Sequence, residues 1–206
     1  SNTLLSISSD STKIYDDASN KLIDLKNVPL RGRHNLSNIL AAATAAKILG
    51  VPNSRISKTI SSFKGVEHRI EKVININGVT YYNDSKATNV EAVKVAINSF
   101  EKNIFLILGG QDKGGEFSIL LPHIKNKVKR VIAYGDAANI IKTALGDAVK
   151  LKIVFSLKDA VMACHNQAQP GDIILLSPGC ASFDQFKNFE ERGKFFKTVV
   201  NEMATA

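Results

Sequence analysis

The last two thirds of the chain alternate between short apolar segments and longer amphipathic segments. Residues 73–76 and 79–82 flank the pair Asn77-Gly78, which predicts a β-hairpin because this pair favours the turn that matches strand twist. Further apolar segments lack polar alternation and are separated by helical patterns, which predicts a mostly parallel sheet with helices on both faces. The predicted strands are residues 104–108, 130–134, 151–155 and 173–176, and the predicted helices are 90–99, 117–124, 137–144, 158–168 and 188–202. We therefore predict a doubly wound, Rossmann-like α/β domain.

The first part of the chain has a different pattern. Short alternating segments within residues 4–25, separated by Asp, Ser and Asn, predict a small antiparallel sheet. An alanine-rich helix is predicted at residues 34–49, and a second helix, capped by Asn53 or Ser54, is predicted to follow it. The change of pattern predicts two domains, residues 1–64 and 65–206.

Composition indicates a globular protein without membrane segments. The 206 residues are 44% hydrophobic and 22% charged, and no run approaches the roughly 20 apolar residues that a membrane span requires. No basic flank precedes an apolar run near Ser1, so we expect a cytoplasmic protein. Cys164 and Cys180 lack the spacing of a metal site or a disulfide framework, and we expect both to be reduced and structural. No metal site is predicted.

The net charge of +8 suits an anionic partner, which leaves open a nucleic acid, a phosphorylated ligand or an acidic substrate. The densest basic run, residues 125–130, is interleaved with valine and leads into a predicted strand, which is typical of a solvated face. The sequence has no basic segment interleaved with aromatic residues. We therefore expect no nucleic acid partner, and a basic nucleic-acid-binding α/β module stays as an alternative to an enzyme.

Three polar or glycine-bearing loops follow predicted strands, which is where doubly wound sheets bind their ligands. The first loop, residues 83–89, combines a carboxylate, an ammonium group and two hydroxyls. Capping of the next helix by Thr88 or Asn89 would need only one of these groups. The mixture therefore favours a ligand site over simple capping.

The other two loops carry weaker signals. Residues 109–115 place Lys113 between two glycine pairs, which suits an anion, although tight turns also select glycine. This loop lacks the G-x-x-x-x-G-K-[ST] pattern of a P-loop, and no other segment of the sequence supplies it. Residues 177–189 contain small residues followed by an aromatic helix start, where Phe186 and Phe189 are expected to join the core.

Two further groups could contact a nucleotide. Arg69 follows His68 at the proposed domain boundary, and its guanidinium could clamp phosphate oxygens; a surface ion pair is the alternative. Asn35 and Asn38 are three residues apart, so they would share a helix face and could hydrogen-bond a base. Capping of the helix by Asn35 is the alternative.

Four sequence blocks carry a resemblance to a known family. They are Gly32 to Asn35 with Asn38, residues 67–69 (EHR), residues 83–89 (NDSKATN) and residues 177–193 (SPGCASFDQFKNFEERG). From Leu30 onward the chain resembles the Mur ligase family. Lys86 and Thr88 in the third block resemble the branch of the family that adds D-glutamate.

The resemblance implies an ATP-dependent, ADP-forming acid–amino acid ligase of peptidoglycan synthesis. In the implied reaction, the alanine carboxylate of UDP-N-acetylmuramoyl-L-alanine takes the γ-phosphoryl group of ATP, and the amine of D-glutamate attacks the resulting acyl phosphate to form an amide. The implied partners are these three small molecules, and we expect a monomer. Another amino-acid-adding relative, such as a folylpolyglutamate synthetase, is the nearest alternative.

The resemblance also implies roles for single residues. Asn35 and Asn38 would contact adenine, Asp84 the ribose hydroxyls, and Arg69 the transferring phosphoryl group as a catalytic cation. Lys86 would be both catalytic and part of the D-glutamate site. The other residues implied around D-glutamate are Thr88, Lys113, Ser182, Phe183 and Phe189. At Phe183 the family often has leucine or tryptophan, which is a mild departure.

Several parts of a Mur ligase are missing from the sequence. The family's P-loop, its carbamylated lysine, its magnesium ligands and its UDP-binding domain have no counterpart here. Residues 1–64 resemble the C-terminal part of the family's central ATP-binding domain, and residues 65–206 resemble its complete third domain. We therefore expect a portion of a longer enzyme that uses ATP and Mg²⁺, and we expect this portion alone to be inactive.

Overall fold

The computed structural model describes residues 5–8, 13–30 and 33–205. Within the resembling blocks, Gly32 and the side chains of Arg33 and His34 lie outside the described part, as does Leu4 of the first predicted strand. The chain divides into two compact units, Ser1–Gly65 and Val66–Ala206.

The first unit is a small antiparallel sheet with two helices. Strands β1, β2 and β3 pair in that order, which confirms the predicted sheet. Its elements are β1 Leu5–Ile7, β2 Lys13–Asp16, β3 Lys21–Asp24, a 3₁₀ turn Leu25–Asn27, α1 Arg33–Ile48 and α2 Asn53–Ser62. Ile14, Ile23 and Ile39 are among the residues that form its buried core.

The predicted cap of α2 is wrong. Pro52 precedes the first helical residue, and no side chain caps the helix. Asn53 is instead the first residue of α2, and its Nδ2 donates to Asp16 Oδ2 at 2.8 Å. The amide is therefore engaged in a tertiary hydrogen bond with β2, which a local sequence pattern does not reveal.

The second unit contains the predicted series of strands and helices. Its strands are β4 Glu71–Ile76, β5 Val79–Asn83, β6 Ile104–Gly109, β7 Val128–Tyr134, β8 Leu151–Val154 and β9 Ile173–Gly179. Its helices are α3 Val90–Asn98, α4 Leu121–Ile124, α5 Ala138–Leu145, α6 Leu157–His165 and α7 Phe189–Thr205, with 3₁₀ turns at Phe117–Leu120 and Gly146–Ala148. The predicted elements all occur, with ends that differ by a few residues.

The six strands form one sheet in the order β4-β5-β9-β6-β7-β8. The hairpin of β4 and β5 is antiparallel, as Asn77-Gly78 predicted, and every other pairing is parallel. Successive residues of β6 pack on opposite faces of the sheet: Leu106 lies with α3 and α5, and Ile107 lies with α6 and α7. Burial on both faces explains why the strands show no polar alternation, and it confirms the doubly wound α/β fold.

This strand order decides where the loops meet. Strands β5, β9 and β6 are neighbours and parallel, so their carboxyl ends lie side by side at one edge of the sheet. The three loops singled out by sequence follow these three strands. Within the described residues, every helix is too short or too polar to cross a membrane.

Candidate active site at the carboxyl ends of three strands

Backbone hydrogen bonds join the three loops to one another. Gly179 N, at the end of β9, donates to Ala87 O in the first loop at 2.8 Å. Gln111 and Ala181 exchange two hydrogen bonds of 3.0 and 3.1 Å, which connect the loop after β6 with the loop after β9. The three loops therefore meet at the carboxyl ends of β5, β6 and β9.

Glycine is required where the second loop passes the third. Gly110 has a φ of +123°, a conformation that L side chains rarely adopt. A Cβ at this position would overlap the carbonyl oxygen of Ala181 and would lie 3.1 Å from Arg192 Nη1. Close packing therefore explains why this loop has glycine at position 110. Lys113 of the same loop is exposed to solvent.

Asp84 is a buried carboxylate at the end of β5, with a relative exposure of 4%. Ser177 Oγ donates to its Oδ2 at 2.7 Å, and the Ile70 amide donates to its Oδ1 at 3.1 Å. Burial raises the pKa of Asp84 to about 7, although these two hydrogen bonds and the charge of Arg69 act in the opposite direction. The carboxyl can therefore exchange its proton near neutral pH.

Arg69 lies in a turn with unusual backbone angles. His68 on one side of it has a φ of 65°, and Ile70 on the other side has a φ of 46°. Lys86 N donates to His68 O at 3.0 Å, so the turn is attached to the first loop. The Arg69 side chain is exposed, and none of the ion pairs within the described part of the chain includes it. The surface ion pair considered as the alternative is therefore not formed there.

His68 connects this turn to β5 and α7. Its Nδ1 lies 2.9 Å from Asn83 Nδ2, and the same amide donates to Glu71 Oε2 at 3.1 Å. Because an amide nitrogen only donates, Nδ1 accepts and His68 is neutral in this arrangement. Burial lowers the pKa of His68, which favours the neutral ring. A Cβ on Gly193 would overlap the same imidazole.

The group Glu67, His68 and Glu71 has the composition of a metal site but not its surroundings. Its ligand atoms lie within 4.8 Å of one another. Lys197 Nζ, however, lies 2.5 Å from Glu67 and 3.1 Å from Glu71. The ammonium group already forms ion pairs with both carboxylates, and Mg²⁺ prefers oxygen ligands and water to imidazole. The group therefore fits an ion-pair network and does not fit a magnesium ion.

Two of the residues predicted to bind D-glutamate are in direct contact. Lys86 Nζ lies 5.1 Å from the centre of the Phe189 ring, within the range of a cation–π interaction. The Phe189 ring also contacts His68: the two rings pack edge to face, with their centres 6.2 Å apart. Phe186 packs against the hydrophobic core, as expected. Phe189 was expected to join the core as well, but it is only partly buried and is not part of the core cluster.

The remaining predicted residues differ in exposure. Ser182 is buried and Thr88 is partly buried, whereas Phe183 is 66% exposed. Asn89 caps α3, because its Oδ1 accepts from Ala92 N at 2.9 Å. The first loop therefore provides a helix cap and also presents Lys86 beside Phe189. Capping explains Asn89 but not the lysine.

Asn35 and Asn38 lie on α1 in the first unit. The helix begins at Arg33, so Asn35 is inside it, and the alternative in which it caps the helix is wrong. Asn38 Nδ2 donates to Asn35 Oδ1 at 3.4 Å, which confirms that the two amides share one face. Their contact with adenine stays a prediction.

Comparison with known proteins identifies the family of the chain. A family model described as Mur ligase, glutamate ligase domain, matches residues 68–180, which is more than half of the chain. The chain belongs to the Mur ligase family. It is 46% identical to the UDP-N-acetylmuramoylalanine–D-glutamate ligase of Acidobacterium capsulatum, with 90% of this chain and 40% of that protein covered. It is 48% identical to the ligase of the same name from Oenococcus oeni, with 93% and 43% covered. The chain thus spans about two fifths of the length of these relatives.

Solved structures share the fold of this Mur ligase chain. The UDP-N-acetylmuramate-alanine ligase of Thermotoga maritima superposes with a TM-score of 0.66 at 13% identity, covering 93% of this chain and 43% of that one. A pseudomurein peptide ligase type C from Methanothermus fervidus gives 0.66 at 18% identity, with 93% and 40% covered. At such identities the likeness concerns the fold alone.

Residues that sequence reasoning missed lie beneath the Mur ligase loops. Arg192 is completely buried in α7, and no role was predicted for it. A signal was present: Arg192 lies on the same helical stripe as Phe196 and Val199, both buried. A charged residue on a buried stripe predicts a specific partner, and here the partners are backbone carbonyls and a serine. Ser177, which donates to Asp84, was also missed.

The cysteines of this Mur ligase chain are structural, as expected. Cys164 and Cys180 are free and buried. Burial raises the pKa of Cys180 to about 12 and raises that of Cys164 as well. Both thiols are therefore protonated at neutral pH, which does not suit a nucleophile.

Proposed function

We propose that the chain is part of an ATP-dependent ligase that adds D-glutamate to UDP-N-acetylmuramoyl-L-alanine and releases ADP and phosphate. The observation that carries this proposal is the contact between Lys86 and Phe189, which joins two sequence blocks at the meeting point of three loops. The names of the relatives at 46% and 48% identity support the choice of amino acid. We place the reaction in the cytoplasm and the active enzyme as a monomer.

The first step needs a cation near the phosphate and a grip on the nucleotide. Arg69 is exposed and unpaired by any carboxylate in the described ion pairs, so its guanidinium is available to a phosphoryl group. Asp84 lies close enough for the charge of Arg69 to lower its pKa. The ionised carboxylate would accept hydrogen bonds from the ribose hydroxyls. Asn35 and Asn38, which lie in the first unit, would bind adenine. An ADP complex of a MurF ligase from Thermotoga maritima, which has the same fold, agrees with a nucleotide ligand.

The second step needs D-glutamate held with its amine beside the acyl carbon. Lys86 and Lys113 are exposed ammonium groups that would bind the two carboxylates. Ser182 and Thr88 would donate hydrogen bonds, and the Phe189 ring would limit where the carbon chain can lie. Phe183, next to Ser182 and 66% exposed, would cover the ligand from the solvent side. The amine loses a proton and attacks, the carbon–oxygen bond to phosphate breaks, and an amide forms.

Magnesium would be held by residues outside this chain. The ion would neutralise charge on the ATP phosphates during transfer, and the only described cluster of metal-ligand type is already paired with Lys197. We propose that the P-loop and the UDP-sugar site also belong to a longer protein. The 206-residue chain alone should then show no ligase activity, and measurable turnover by it would contradict this division.

The experiment that tests the proposal is an amino-acid specificity assay of the full-length protein. ADP release should depend on UDP-N-acetylmuramoyl-L-alanine and D-glutamate together, and a preference for another amino acid, or for a folate acceptor, would refute the proposal.

Lys86→Ala and Ser182→Ala should each raise the KM of D-glutamate more than that of ATP. Lys158→Ala is a matched control, because Lys158 is exposed on α6. Unchanged glutamate kinetics in both variants would refute the residue assignment.

A nucleic-acid-binding module stays as the second candidate function because of the net charge of +8. Such a module would bind DNA or RNA with a steep salt dependence. Specific binding in a gel-shift assay at physiological salt, without D-glutamate-dependent ADP release, would favour it over the ligase.

A further inference from the structure

Arg192 is a completely buried cation that is bound only by neutral groups. Its Nε donates to Ser85 Oγ at 3.0 Å and its Nη2 donates to Ser85 O at 2.9 Å. Nη2 also donates to Cys180 O at 3.1 Å, and Nη1 donates to Ala181 O at 3.1 Å. No ion pair within the described residues includes Arg192. Buried arginines are usually paired with a carboxylate, so this arrangement requires a reason.

The acceptors of Arg192 are next to the residues proposed to bind D-glutamate. Ser85 immediately precedes Lys86, and Ala181 immediately precedes Ser182. The two loops therefore receive hydrogen bonds from one planar guanidinium, which has a fixed spacing between its nitrogens. A flexible pair of side chains would not fix the distance between the loops in this way.

The third loop is attached to the same point. A Cβ on Gly110 would lie 3.1 Å from Arg192 Nη1, so this loop passes directly over the guanidinium. Gln111 then exchanges backbone hydrogen bonds with Ala181, one of the acceptors of Arg192. Lys113 follows in the same loop. All three loops that carry proposed glutamate contacts are thus packed around one side chain.

The helix of Arg192 contributes to the site as well. Ser85 Oγ, which accepts from Arg192 Nε, donates its own proton to Phe189 O at 2.8 Å. Phe189 is the first residue of α7 and contacts Lys86. The Ser85 hydroxyl therefore links Arg192 to the backbone of a residue whose ring lies in the proposed site.

We propose that Arg192 is a positioning residue for the D-glutamate site. It fixes the loop of Lys86 relative to the loop of Ser182, and its uncompensated positive charge lies beneath a site that receives a dicarboxylate. It does not touch the substrate. Binding of two carboxylates and an amine depends on distances between separate loops. Loss of the guanidinium should therefore weaken glutamate binding before it affects nucleotide binding.

The test uses the full-length enzyme and rests on the proposed function. Arg192→Lys keeps the charge but cannot supply four donors in one plane, and Arg192→Met removes both charge and donors. We expect about a tenfold or greater rise in the KM of D-glutamate, larger in Arg192→Met, with the KM of ATP changed by less than about twofold. Lys194→Met is the matched control, because Lys194 is exposed on the same helix.

The kinetic pattern separates positioning from mere stability. A purely structural role would lower the apparent kcat through a smaller folded fraction and leave every KM unchanged, and that result would overturn the proposal. If Arg192→Met does not fold, Ser85→Ala replaces it, since it removes the acceptor of Nε and should also raise the KM of D-glutamate. Normal glutamate kinetics in Ser85→Ala and Arg192→Lys would overturn the proposal.

The two proposals fail in different ways. A wild-type enzyme that does not use D-glutamate refutes the proposed function and this inference with it. A wild-type enzyme that uses D-glutamate, with variants of unchanged KM, overturns the role of Arg192 and leaves the proposed function intact.

An NMR measurement on the 206-residue chain gives an independent check. The Arg192 Nε–H proton should exchange slowly with water, and rapid exchange would overturn the buried arrangement.

Discussion

Asp84 offers a quantitative test of the buried side of the site. Its carboxyl has a folded-state pKa of about 7 against an ordinary value of 3.8. The folded chain therefore holds a proton on Asp84 at pH values where the unfolded chain has already released it. A raised pKa contributes stability that is fully present below pH 3.8 and is lost as the pH rises through 7.

The size of the effect follows from the two pKa values. Each pKa unit corresponds to about 1.4 kcal/mol, so the full span is about 4 kcal/mol. Between pH 4.5 and pH 8 the contribution to the free energy of unfolding falls by about 3 kcal/mol, because part of it is already lost at pH 4.5. Asp84→Asn removes the titration and keeps the shape. The Asn oxygen can accept from Ile70 N, and its amide can donate to Ser177 Oγ.

The measured quantity is the difference in unfolding free energy between Asp84→Asn and the wild type. Other titrating groups cancel in this difference, which should rise by about 3 kcal/mol in favour of the variant from pH 4.5 to pH 8. Unfolding in urea is monitored by the hydrogen exchange of the buried amides of β6. These amides belong to the second unit, so the measurement gives the unfolding free energy of that unit by itself. A difference that stays constant across this range would mean that Asp84 is ionised throughout, and it would refute the reasoning from burial.

Two further changes test packing and capping in the second unit. Gly193→Ala places a methyl group against the His68 imidazole, so we expect a loss of about 1–3 kcal/mol in the free energy of unfolding; equal stability in urea would contradict the close approach. Asn89→Ala removes the hydrogen bond to Ala92 N that caps α3, so we expect a loss of about 1 kcal/mol. Asn89→Asp should restore most of that loss in the same measurement, and failure to do so would point to another role for the side chain.

Much of the fold could be predicted from local patterns. Asn77-Gly78 has few alternatives to a hairpin, and apolar strands between helices leave few alternatives to a parallel sheet. The general rule that ligand loops lie at the carboxyl ends of parallel strands pointed to the loops after β5, β6 and β9, but it does not say which of them meet. What decided their contact was the pairing of β9 between β5 and β6, which the sequence alone did not indicate.

The sequence was less informative about which polar residues are buried. The polar loop around Asp84 indicates a ligand group that faces solvent. The side chain is nevertheless only 4% exposed, and it is hydrogen-bonded to Ser177 and Ile70 from two other segments. The sequence pattern predicts that Asn53 caps a helix, but its side-chain amide donates a hydrogen bond to Asp16. In both cases the partner is distant in sequence, so a local pattern cannot reveal it.

The site separates into two kinds of polar residue, and their physical environments lead to different expectations. Arg69, Lys86 and Lys113 are exposed, so the removal of one of them leaves no buried group without a partner. Asp84 and Arg192 are buried and hold neighbouring loops through hydrogen bonds, so the removal of either leaves buried donors or acceptors unpaired. Substitution of an exposed residue should therefore alter ligand binding with little change in stability. Substitution of a buried one should alter both, because the geometry of the exposed groups depends on the buried hydrogen bonds beneath them.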